Sequence, residues 1–383
     1  MEFLKLLEHK ILDLKSQFNF RSIRPISNGA EKYININGKK LLNLASNNYL
    51  GLTNNEIIKN MSIEGIKKFG TGISSSRLII GNNILYDELE REISDFKNKA
   101  KSLVLNSGYC ANLAALSIAK NCEVFMDRLC HASLIDGAIL IGTRFHRFRH
   151  NDLDHLERML KSSDNHRVVV TESIFSMDGD KCDLVNLVEL SKKYDAFLIL
   201  DEAHATGIFG NGRGLAHEYS LDNDVHLNVG TFSKALGSLG GYLSGDKVVI
   251  EYLINFARSL IYTTALPPSV IAANLAALKF VKENPSCGAL LLQISDNVRN
   301  YLKSLGFNTL NSSSQIIPVV LGDSKKTLMA QEILFDIGLF VAAIREPTVP
   351  KNLARLRISL RSDLNIDEVE FIKKAFTLLA GKI

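Results

Sequence analysis

Two short apolar runs that end in polar side chains constrain this chain more than any other feature of its sequence. The first run, residues 196–200, is followed directly by Asp201 and three residues later by His204. The second run, residues 227–230, leads towards Lys234 and a glycine-rich turn. Apolar runs of this length predict buried strands of a parallel sheet. Because open α/β sheets bind ligands at the carboxyl ends of such strands, a carboxylate, an imidazole and an amine are expected to converge there.

This combination of groups is what the chemistry of pyridoxal 5'-phosphate (PLP) requires. An amine such as that of Lys234 forms a Schiff base with the cofactor's aldehyde, and a carboxylate such as that of Asp201 keeps the ring nitrogen protonated. Taken singly, a strand-end aspartate is often a helix cap, and a lysine is most often a surface residue. Because both stand at strand ends of one predicted sheet, we expect PLP as the cofactor.

Length and pattern predict more than one domain, since 383 residues exceed what a single hydrophobic core usually supports. We expect an N-terminal helix and hairpin over residues 1–45, a large PLP-binding domain over 46–282 and a small C-terminal domain over 283–383. Strands at about residues 102–105, 168–171, 197–200 and 227–230 alternate with helical segments in the large domain. This alternation predicts an α/β fold with a mostly parallel central sheet, and the C-terminal part is expected to be α+β.

Charge and cysteine content argue against several classes of protein. The 45 basic and 41 acidic residues are too balanced for a general nucleic-acid binder. Five widely spaced cysteines without a CxxC pair argue against a disulfide framework and against a metal site. No apolar run approaches the ~20 residues that span a bilayer. We therefore expect a soluble, cytoplasmic enzyme with no metal, membrane or nucleic-acid partner.

Shorter patterns predict individual elements near both ends of the chain. Apolar residues recur at helical spacing over residues 4–14, which indicates an amphipathic helix. Asn37-Gly38 predicts a tight hairpin turn. Residues 353–361 alternate apolar side chains with polar ones, mostly arginines, which predicts a strand with two unlike faces. The arginine face could be solvated, or Arg357 could point inward and clamp a carboxylate. Asn365 and Glu368 predict a capping box.

Three further segments carry candidate residues with weaker signals. Ser107-Gly108-Tyr109 stands between a predicted strand and a helix, where free amides could bind a phosphate, although any tight turn favours such residues. His131 could be a core histidine or could stack on the pyridine ring. Ser176 follows another predicted strand and could be a turn serine or a hydrogen-bond donor to the cofactor.

The sequence LDEAH at residues 200–204 also occurs after buried strands in helicases. The chain contains no GxxxxGK[ST] loop to hold a nucleotide's phosphates, so a nucleotide-driven protein is the less favoured interpretation.

Eight segments in order resemble the motifs of the α-oxoamine synthases, which have the aspartate-aminotransferase-like fold (fold type I) of PLP enzymes. The match covers about residues 21–361. The segments are SNNYLGL, GTGISSSRLIIG, DRLCHASLIDG, TESIFSMDGD, LDEAHATGIFG, TFSKALG, YTTALPP and PTVPKNLARLRISL.

The resemblance implies roles around the cofactor ring. Lys234 is the Schiff-base lysine, Asp201 pairs with the ring nitrogen, and His131 stacks on the ring, so these three are the implied catalytic residues. His204 and Ser176 contact the cofactor's oxygen atoms.

The resemblance also implies which residues serve the cofactor phosphate. Gly108, Tyr109 and Thr231 lie on the phosphate side. A threonine of YTTALPP, either Thr263 or Thr264, reaches the phosphate of a partner subunit, which implies a homodimer.

The implied reaction joins L-alanine to a pimeloyl thioester of coenzyme A or of acyl carrier protein. It releases carbon dioxide and gives 8-amino-7-oxononanoate, a precursor of biotin. Asn47, Arg357 and His131 would bind the amino acid, whereas Arg21 and Thr348 would meet the acyl substrate. Arg21 and Arg24 are the candidates to bind the polar end of the acyl chain.

The sequence departs from the family pattern at residues 74–76, which are all serine, and at Asn352, where a glycine is usual. Both departures are expected on the acyl side, so they bear on acyl specificity more than on cofactor binding. A glycine acyltransferase, an aminotransferase or another α-oxoamine synthase stays open as an alternative.

Overall fold

The computed structural model describes residues 2–383 and divides them into two compact units. The first unit contains the residues up to Asn47 together with Met177–Asp180 and Leu291–Ile383. The second unit contains Asn48–Ser176 and Lys181–Leu290. The boundaries of the three domains expected from the sequence stay predictions.

Thirteen strands and fourteen α-helices make up the described chain. The strands are β1 (Tyr33–Ile36), β2 (Lys39–Asn43), β3 (Lys101–Leu105), β4 (Glu123–Asp127), β5 (Arg144–Phe148), β6 (Arg167–Glu172), β7 (Ala196–Asp201), β8 (Leu227–Thr231), β9 (Gly241–Gly245), β10 (Ile316–Gly322), β11 (Leu339–Phe340), β12 (Ala342–Ile344) and β13 (Ala354–Ser359). The helices are α1 (Glu2–Ser16), α2 (Glu56–Phe69), α3 (Ile84–Lys97), α4 (Gly108–Leu116), α5 (Ala132–Ile141), α6 (Leu153–Lys161), α7 (Leu184–Lys193), α8 (Leu215–Glu218), α9 (Lys247–Phe256), α10 (Arg258–Ile261), α11 (Pro268–Glu283), α12 (Cys287–Ser304), α13 (Ser324–Ile337) and α14 (Ile366–Ala380).

A seven-stranded sheet forms the centre of the second unit, in the order β3-β9-β8-β7-β6-β4-β5. Only β9 runs antiparallel to its neighbours. The predicted strands lie within β3, β6, β7 and β8, so the α/β fold with a mostly parallel sheet is confirmed. Except for the edge strand β5, the strands are buried over nearly their whole length because helices cover the sheet. Their apolar side chains join one core with those of α4, α5 and α9. Each such buried aliphatic side chain contributes about 1.5–3 kcal/mol.

Two smaller sheets belong to the first unit, in the orders β1-β2-β11 and β10-β13-β12. The predicted hairpin is confirmed: Asn37 and Gly38 join β1 to β2 with φ angles of 52° and 78°, the left-handed values that a tight turn of this kind needs. The predicted capping box of Asn365 and Glu368 at the start of α14 is also confirmed.

The arginines of β13 are buried, so the solvated alternative for this face is wrong. Arg355 is 1% exposed and Arg357 is 4% exposed. Alternation along the strand correctly separated two faces, but it could not indicate that other parts of the unit cover both of them. Arg355 forms an ion pair with Asp178, which satisfies one of these buried charges.

The N-terminal helix α1 forms as predicted, but none of its residues is buried in the single chain. Its apolar side chains are therefore exposed, Phe3 and Leu12 among them. Within residues 2–383, no helix combines the length and the apolar composition that crossing a membrane would need.

A buried ion pair lies beneath the carboxyl end of β7. Glu202 directly follows Asp201, and its Oε2 accepts a hydrogen bond from Lys97 Nζ at 2.7 Å. Neither side chain is more than 2% exposed. Asn228 and the Ala216 amide also donate to the Glu202 carboxylate. Burial disfavours the charge of Lys97, but the neighbouring Glu202 outweighs it, so the lysine pKa lies above its ordinary value. Glu202 of the LDEAH segment therefore has a structural role in the core.

We expect Lys97→Met to destabilise the protein by about 3–5 kcal/mol, because it leaves the Glu202 charge buried without its partner. Urea unfolding measures this loss. Lys101→Met is the matched control, since the Lys101–Glu251 pair is 38% and 49% exposed and should contribute at most about 1 kcal/mol. Equal losses in the two variants would contradict this account of the buried pair.

Candidate active site

The carboxyl ends of β7 and β8 bring the predicted cofactor residues together in the second unit. The two strands pair in parallel, with Asp201 opposite Val229, and Lys234 follows the end of β8 by three residues. A cavity of about 230 Å³ lies at this edge of the sheet. Seven predicted residues line it: Gly108, Tyr109, His131, Asp201, His204, Thr231 and Lys234.

Asp201 is held in place by two hydrogen bonds. Its Oδ2 accepts from Asn112 Nδ2 and its Oδ1 from the Ala203 amide, both at 2.8 Å. The side chain is only 5% exposed. Each carboxylate oxygen has a second lone pair, so Asp201 can still accept a hydrogen bond from a protonated ring nitrogen.

His131 is connected to Asp201 through two polar side chains. Asn112 Nδ2 also donates to Ser133 Oγ at 2.9 Å, and Ser133 Oγ lies 2.7 Å from His131 Nδ1. The Ser133 amide donates to the same ring nitrogen, so Nδ1 acts as an acceptor. Surrounding protein atoms lower the pKa of His131, although the Asp201 charge opposes this. A neutral ring that remains accessible from the cavity suits a histidine that stacks on a cofactor.

His204 is fixed by a residue that the sequence did not identify. Tyr49 is fully buried, and its hydroxyl lies 2.7 Å from His204 Nδ1. The two residues are 155 positions apart in sequence. This contact fixes the orientation of the imidazole at the cavity wall.

The N-terminus of α4 forms the predicted phosphate side of the cavity. Ser107 caps this helix, accepting from the Cys110 amide at 3.1 Å, while the first-turn amides of Gly108 and Tyr109 have no acceptor inside the helix. A Cβ atom at Gly241, the first residue of β9, would clash with the Ser107 backbone, which explains the glycine at this position.

The hydroxyl of Thr231 is already engaged by its own turn. It donates to the Gly240 carbonyl at 2.7 Å and accepts from the Ser233 amide at 3.1 Å. To donate a hydrogen bond to a phosphate, the Thr231 hydroxyl would have to give up its hydrogen bond to the Gly240 carbonyl.

Three predicted cofactor residues do not line this cavity. Ser176 is buried in the segment that follows β6. Thr263 and Thr264 both contact Asn106, at 3.3 Å through the Thr263 hydroxyl and at 2.7 Å through the Thr264 carbonyl. Thr264 is exposed, which is compatible with a role across a subunit interface. The roles of these three residues stay predictions.

The four predicted substrate residues other than His131 lie in the first unit. Arg357 Nη1 donates to Asn47 Oδ1 at 3.1 Å and to Ser359 Oγ at 2.7 Å, so two predicted amino acid ligands are in contact. Arg21 Nη2 donates to Thr348 Oγ1 at 3.2 Å, which joins the two predicted acyl-side residues.

Arg345 was missed by the sequence analysis and adds a third cation near Arg21 and Arg24. Burial lowers the pKa of Arg345, and the charges of Arg21 and Arg24 lower it further. Its Nε is buried and has no hydrogen-bond partner among residues 2–383. Glu332 pairs with Arg24 at 3.3 Å. We refer to Arg21, Arg24 and Arg345 as the arginine group.

Four further residues of the second unit were missed: Tyr49, Asn112, Ser133 and Glu172. Asn112 interrupts an otherwise apolar helix. Because a polar side chain in a buried helix needs a hydrogen-bond partner, this pattern in the sequence could have indicated its role. Ser133 and Tyr49 lie in the motifs DRLCHASLIDG and SNNYLGL, but no role was predicted for either residue. Glu172 directly follows the strand predicted at residues 168–171, just as Asp201 directly follows the apolar run 196–200, and this shared position was a signal in the sequence.

Comparison with known proteins identifies the class of enzyme to which this site belongs. Residues 39–373 match the family of aminotransferases of class I and II. The chain is 44% identical over 371 residues to a Bacillus mycoides protein provisionally named an 8-amino-7-oxononanoate synthase, covering 95% of this chain and 94% of the relative.

Two solved structures show the same architecture. A serine palmitoyltransferase variant from S. paucimobilis, solved with PLP and myriocin bound, has a TM-score of 0.92 and 29% identity, with 98% of each chain covered. An 8-amino-7-oxononanoate synthase from Francisella tularensis has a TM-score of 0.77 and 27% identity, covering 89% of this chain and 97% of that one. The chain belongs to the aminotransferase class I and II family and, within it, to the α-oxoamine synthases. It is a PLP-dependent acyltransferase.

The residues around the cavity fit this cofactor. Asp201 provides a buried carboxyl acceptor for a ring nitrogen, Lys234 provides an amine, and the α4 N-terminus provides amides for a phosphate. The prediction of PLP from the sequence is therefore confirmed, and the nucleotide-driven interpretation of LDEAH is wrong.

Asp201→Asn should leave the fold intact and lower turnover by about 10²–10³, because a neutral amide cannot hold the ring-nitrogen proton against developing negative charge. Steady-state kinetics with saturating PLP measures the effect, and circular dichroism checks the fold. Asp136→Asn is a control, since Asp136 contacts Tyr109 at the outer part of the site. Turnover of Asp201→Asn equal to that of the control would remove Asp201 from the chemistry.

Proposed function

We propose that this chain is an 8-amino-7-oxononanoate synthase of biotin biosynthesis. It would condense L-alanine with a pimeloyl thioester to give 8-amino-7-oxononanoate, carbon dioxide and the free thiol carrier, which is coenzyme A or acyl carrier protein. The observation that carries the proposal is the 44% identity, across 95% of the chain, to the Bacillus mycoides relative that bears this name provisionally.

The residues of the second unit suit the proton and charge movements of this reaction. Bound PLP supplies an electron sink for negative charge at the amino acid Cα. We assign to Asp201 the proton on the ring nitrogen, to Lys234 the transfer of the Cα proton, and to His131 the stacking contact. A new bond joins Cα to the thioester carbonyl carbon, the thiolate leaves, and the alanine carboxylate departs as carbon dioxide. A proton then returns to Cα.

Arg357 is the residue we assign to the alanine carboxylate. A guanidinium can bind both carboxylate oxygens at once, and burial strengthens such a bond. Arg357 is 4% exposed, and its hydrogen bonds to Asn47 and Ser359 hold the planar group in one orientation.

The arginine group supports an acyl chain that ends in a polar group. Burial and then the nearby charges of Arg21 and Arg24 lower the pKa of Arg345, so an anion at this group would be favoured, and the unpartnered Nε of Arg345 provides an additional donor. The distal carboxyl of a pimeloyl chain, or its ester, meets this requirement. A fatty acyl chain such as palmitoyl ends in a methyl group and does not.

The alternative is another α-oxoamine synthase, such as a glycine C-acyltransferase. Similarity to the S. paucimobilis serine palmitoyltransferase, with its TM-score of 0.92, supports the class as a whole rather than one substrate pair. The alternatives differ in the amino acid and in the end of the acyl chain.

Catalytic efficiencies with a panel of substrates test the proposal. L-alanine, glycine and L-serine are each combined with pimeloyl-CoA, acetyl-CoA and palmitoyl-CoA, and pimeloyl-acyl carrier protein tests the carrier. We expect the highest kcat/KM for L-alanine with a pimeloyl donor. A higher value for glycine with acetyl-CoA, or for serine with palmitoyl-CoA, would overturn the assignment while leaving the family unaffected.

Arg357→Lys should raise the KM for alanine by about tenfold or more, because lysine keeps the charge but loses the bidentate geometry. Initial rates at varied alanine concentration measure the change. Arg361→Lys is the matched control, because Arg361 is also buried but pairs with Asp363. The assignment fails if Arg357→Lys leaves the alanine KM unchanged, or if it raises that KM no more than Arg361→Lys does.

Arg345→Met should raise the KM for pimeloyl-CoA by about tenfold and affect its methyl ester less, because a charge-assisted hydrogen bond is roughly twice as strong as a neutral one. The comparison requires both donors with one variant. Arg158→Met, at an exposed position of α6, provides the control. Equal losses with acid and ester would show that the arginine group does not bind the distal carboxylate.

We also propose a cytoplasmic homodimer. Leu78, Ile79 and Ile80 are 50%, 76% and 75% exposed, a cluster that a second copy could cover. The neighbouring Ser76 forms a β-bridge with Thr264, so this surface adjoins the threonines expected to reach a partner. The five cysteines are free thiols, which suits a reducing compartment. A catalytically active monomer in sedimentation experiments would contradict the dimer.

A further inference from the structure

Glu172 is a buried carboxyl group at the PLP site to which the proposed chemistry gives no role. It is the last residue of β6, is 2% exposed and lines the same cavity as Asp201 and Lys234. The parallel register of β6 and β7 sets Glu172 directly opposite Asp201. Directly paired residues of neighbouring strands point to the same face, so the two carboxyl groups are neighbours.

Hydrogen bonding distinguishes these two carboxyl groups. Asp201 accepts from two N–H donors, Asn112 and Ala203, which stabilise its negative charge. Glu172 accepts a hydrogen bond from the His131 amide, but its Oε1 has no hydrogen-bond partner among residues 2–383. A buried carboxylate with an unpartnered oxygen is costly, whereas a protonated carboxyl group in the same place costs far less.

The other groups around Glu172 favour the same distribution of charge. Burial raises its pKa well above the ordinary value, and the Asp201 charge raises it further. From the neighbouring elements, the Lys234 amine and the His131 amide act in the opposite direction, while Asp127 at the end of β4 adds to the increase. Cys130 is also close, and burial keeps its own pKa high, so it brings no charge.

We propose that Glu172 is a positioning residue that works as a neutral, protonated carboxylic acid beside Asp201. The pair then carries a single negative charge, located on Asp201, which matches the single positive charge of a protonated cofactor ring nitrogen. Glu172 fills the adjacent space with a polar group that can hydrogen-bond without adding a second charge. This role depends on the PLP site and not on the identity of the amino acid or the acyl group.

A protonated Glu172 makes the stability of the folded protein depend on pH. The folded protein keeps the Glu172 proton at pH values where the unfolded chain has lost it, above an ordinary pKa of about 4.3. Between the two pKa values the folded state binds one more proton, so its stability falls as pH rises. Glu172→Gln has no proton to lose at this position, so the stability of the variant should not fall in this way. The difference in the free energy of unfolding between the variant and the wild type should therefore increase with pH.

Three variants of the holoenzyme test the proposal. Glu172→Gln keeps the shape and the neutral state, and Glu172→Leu removes the polar group. Glu123→Gln is the control, because Glu123 begins β4 at the opposite end of the sheet and its pKa is lowered, mainly by a hydrogen bond from Ser163. Infrared spectra at neutral pH detect the carbonyl stretch of a protonated carboxylic acid. Equilibrium titration gives the PLP dissociation constant, and urea unfolding at a fixed excess of PLP gives stability against pH.

We expect the infrared band in the wild type and in Glu123→Gln, and its loss in Glu172→Gln. The PLP dissociation constant of Glu172→Gln should stay within about threefold of the wild type, whereas Glu172→Leu should weaken binding by about tenfold, the cost of one lost hydrogen bond. The stability advantage of Glu172→Gln should increase from pH 6 to pH 8, a window above the ordinary glutamate pKa of about 4.3.

Three results would overturn the proposal: an absent infrared band in the wild type, PLP binding by Glu172→Gln as weak as by Glu172→Leu, or wild-type binding by Glu172→Leu. The second would show that the negative charge of Glu172 is required, and the third that the residue has no role. If Glu172→Leu does not fold, the infrared band and the Glu172→Gln titration decide. Failure here leaves the alanine and pimeloyl assignment untouched, since none of these measurements uses substrate.

Discussion

The parallel register between β7 and β8 is the constraint on which the active site depends. It pairs Asp201 with Val229 and ends both strands at the same edge of the sheet, where Lys234 follows three residues later. Because side chains alternate along a strand, a slip of one residue would turn Asp201 into the opposite layer. Nearly every residue of both strands is buried, which opposes such a slip, so packing in the core of the sheet holds Asp201 and Lys234 at the same edge.

The acidic side chains around the carboxyl end of β7 each have different partners. Asp201 lines the predicted cofactor cavity and accepts two hydrogen bonds, whereas the adjacent Glu202 pairs with Lys97 within the core. Burial and the neighbouring Asp201 favour the protonated form of Glu172. Three acidic side chains therefore lie close together, each in a different electrostatic environment. This arrangement explains how one sheet edge holds so many carboxyl groups without strong mutual repulsion.

Local patterns predicted the parts of the structure that depend on neighbours in sequence. The strands, the Asn37-Gly38 turn and the α14 capping box all follow from short periodicities or from single cap residues. The sequence could not predict that Tyr49 fixes His204, because 155 residues separate them. Likewise, alternation in β13 separated an arginine face from an apolar face, but burial of the arginines depends on tertiary packing.

Borohydride reduction of the purified protein with bound PLP, followed by peptide mass spectrometry, tests the central claim most directly. The reduction makes any bond between the cofactor and a lysine permanent. The account predicts the added mass of reduced PLP on the peptide that contains Lys234, and none on peptides that contain Lys97 or Lys99. An adduct on another lysine, or a protein that takes up no PLP, would contradict the claim that the ends of β7 and β8 form the cofactor site.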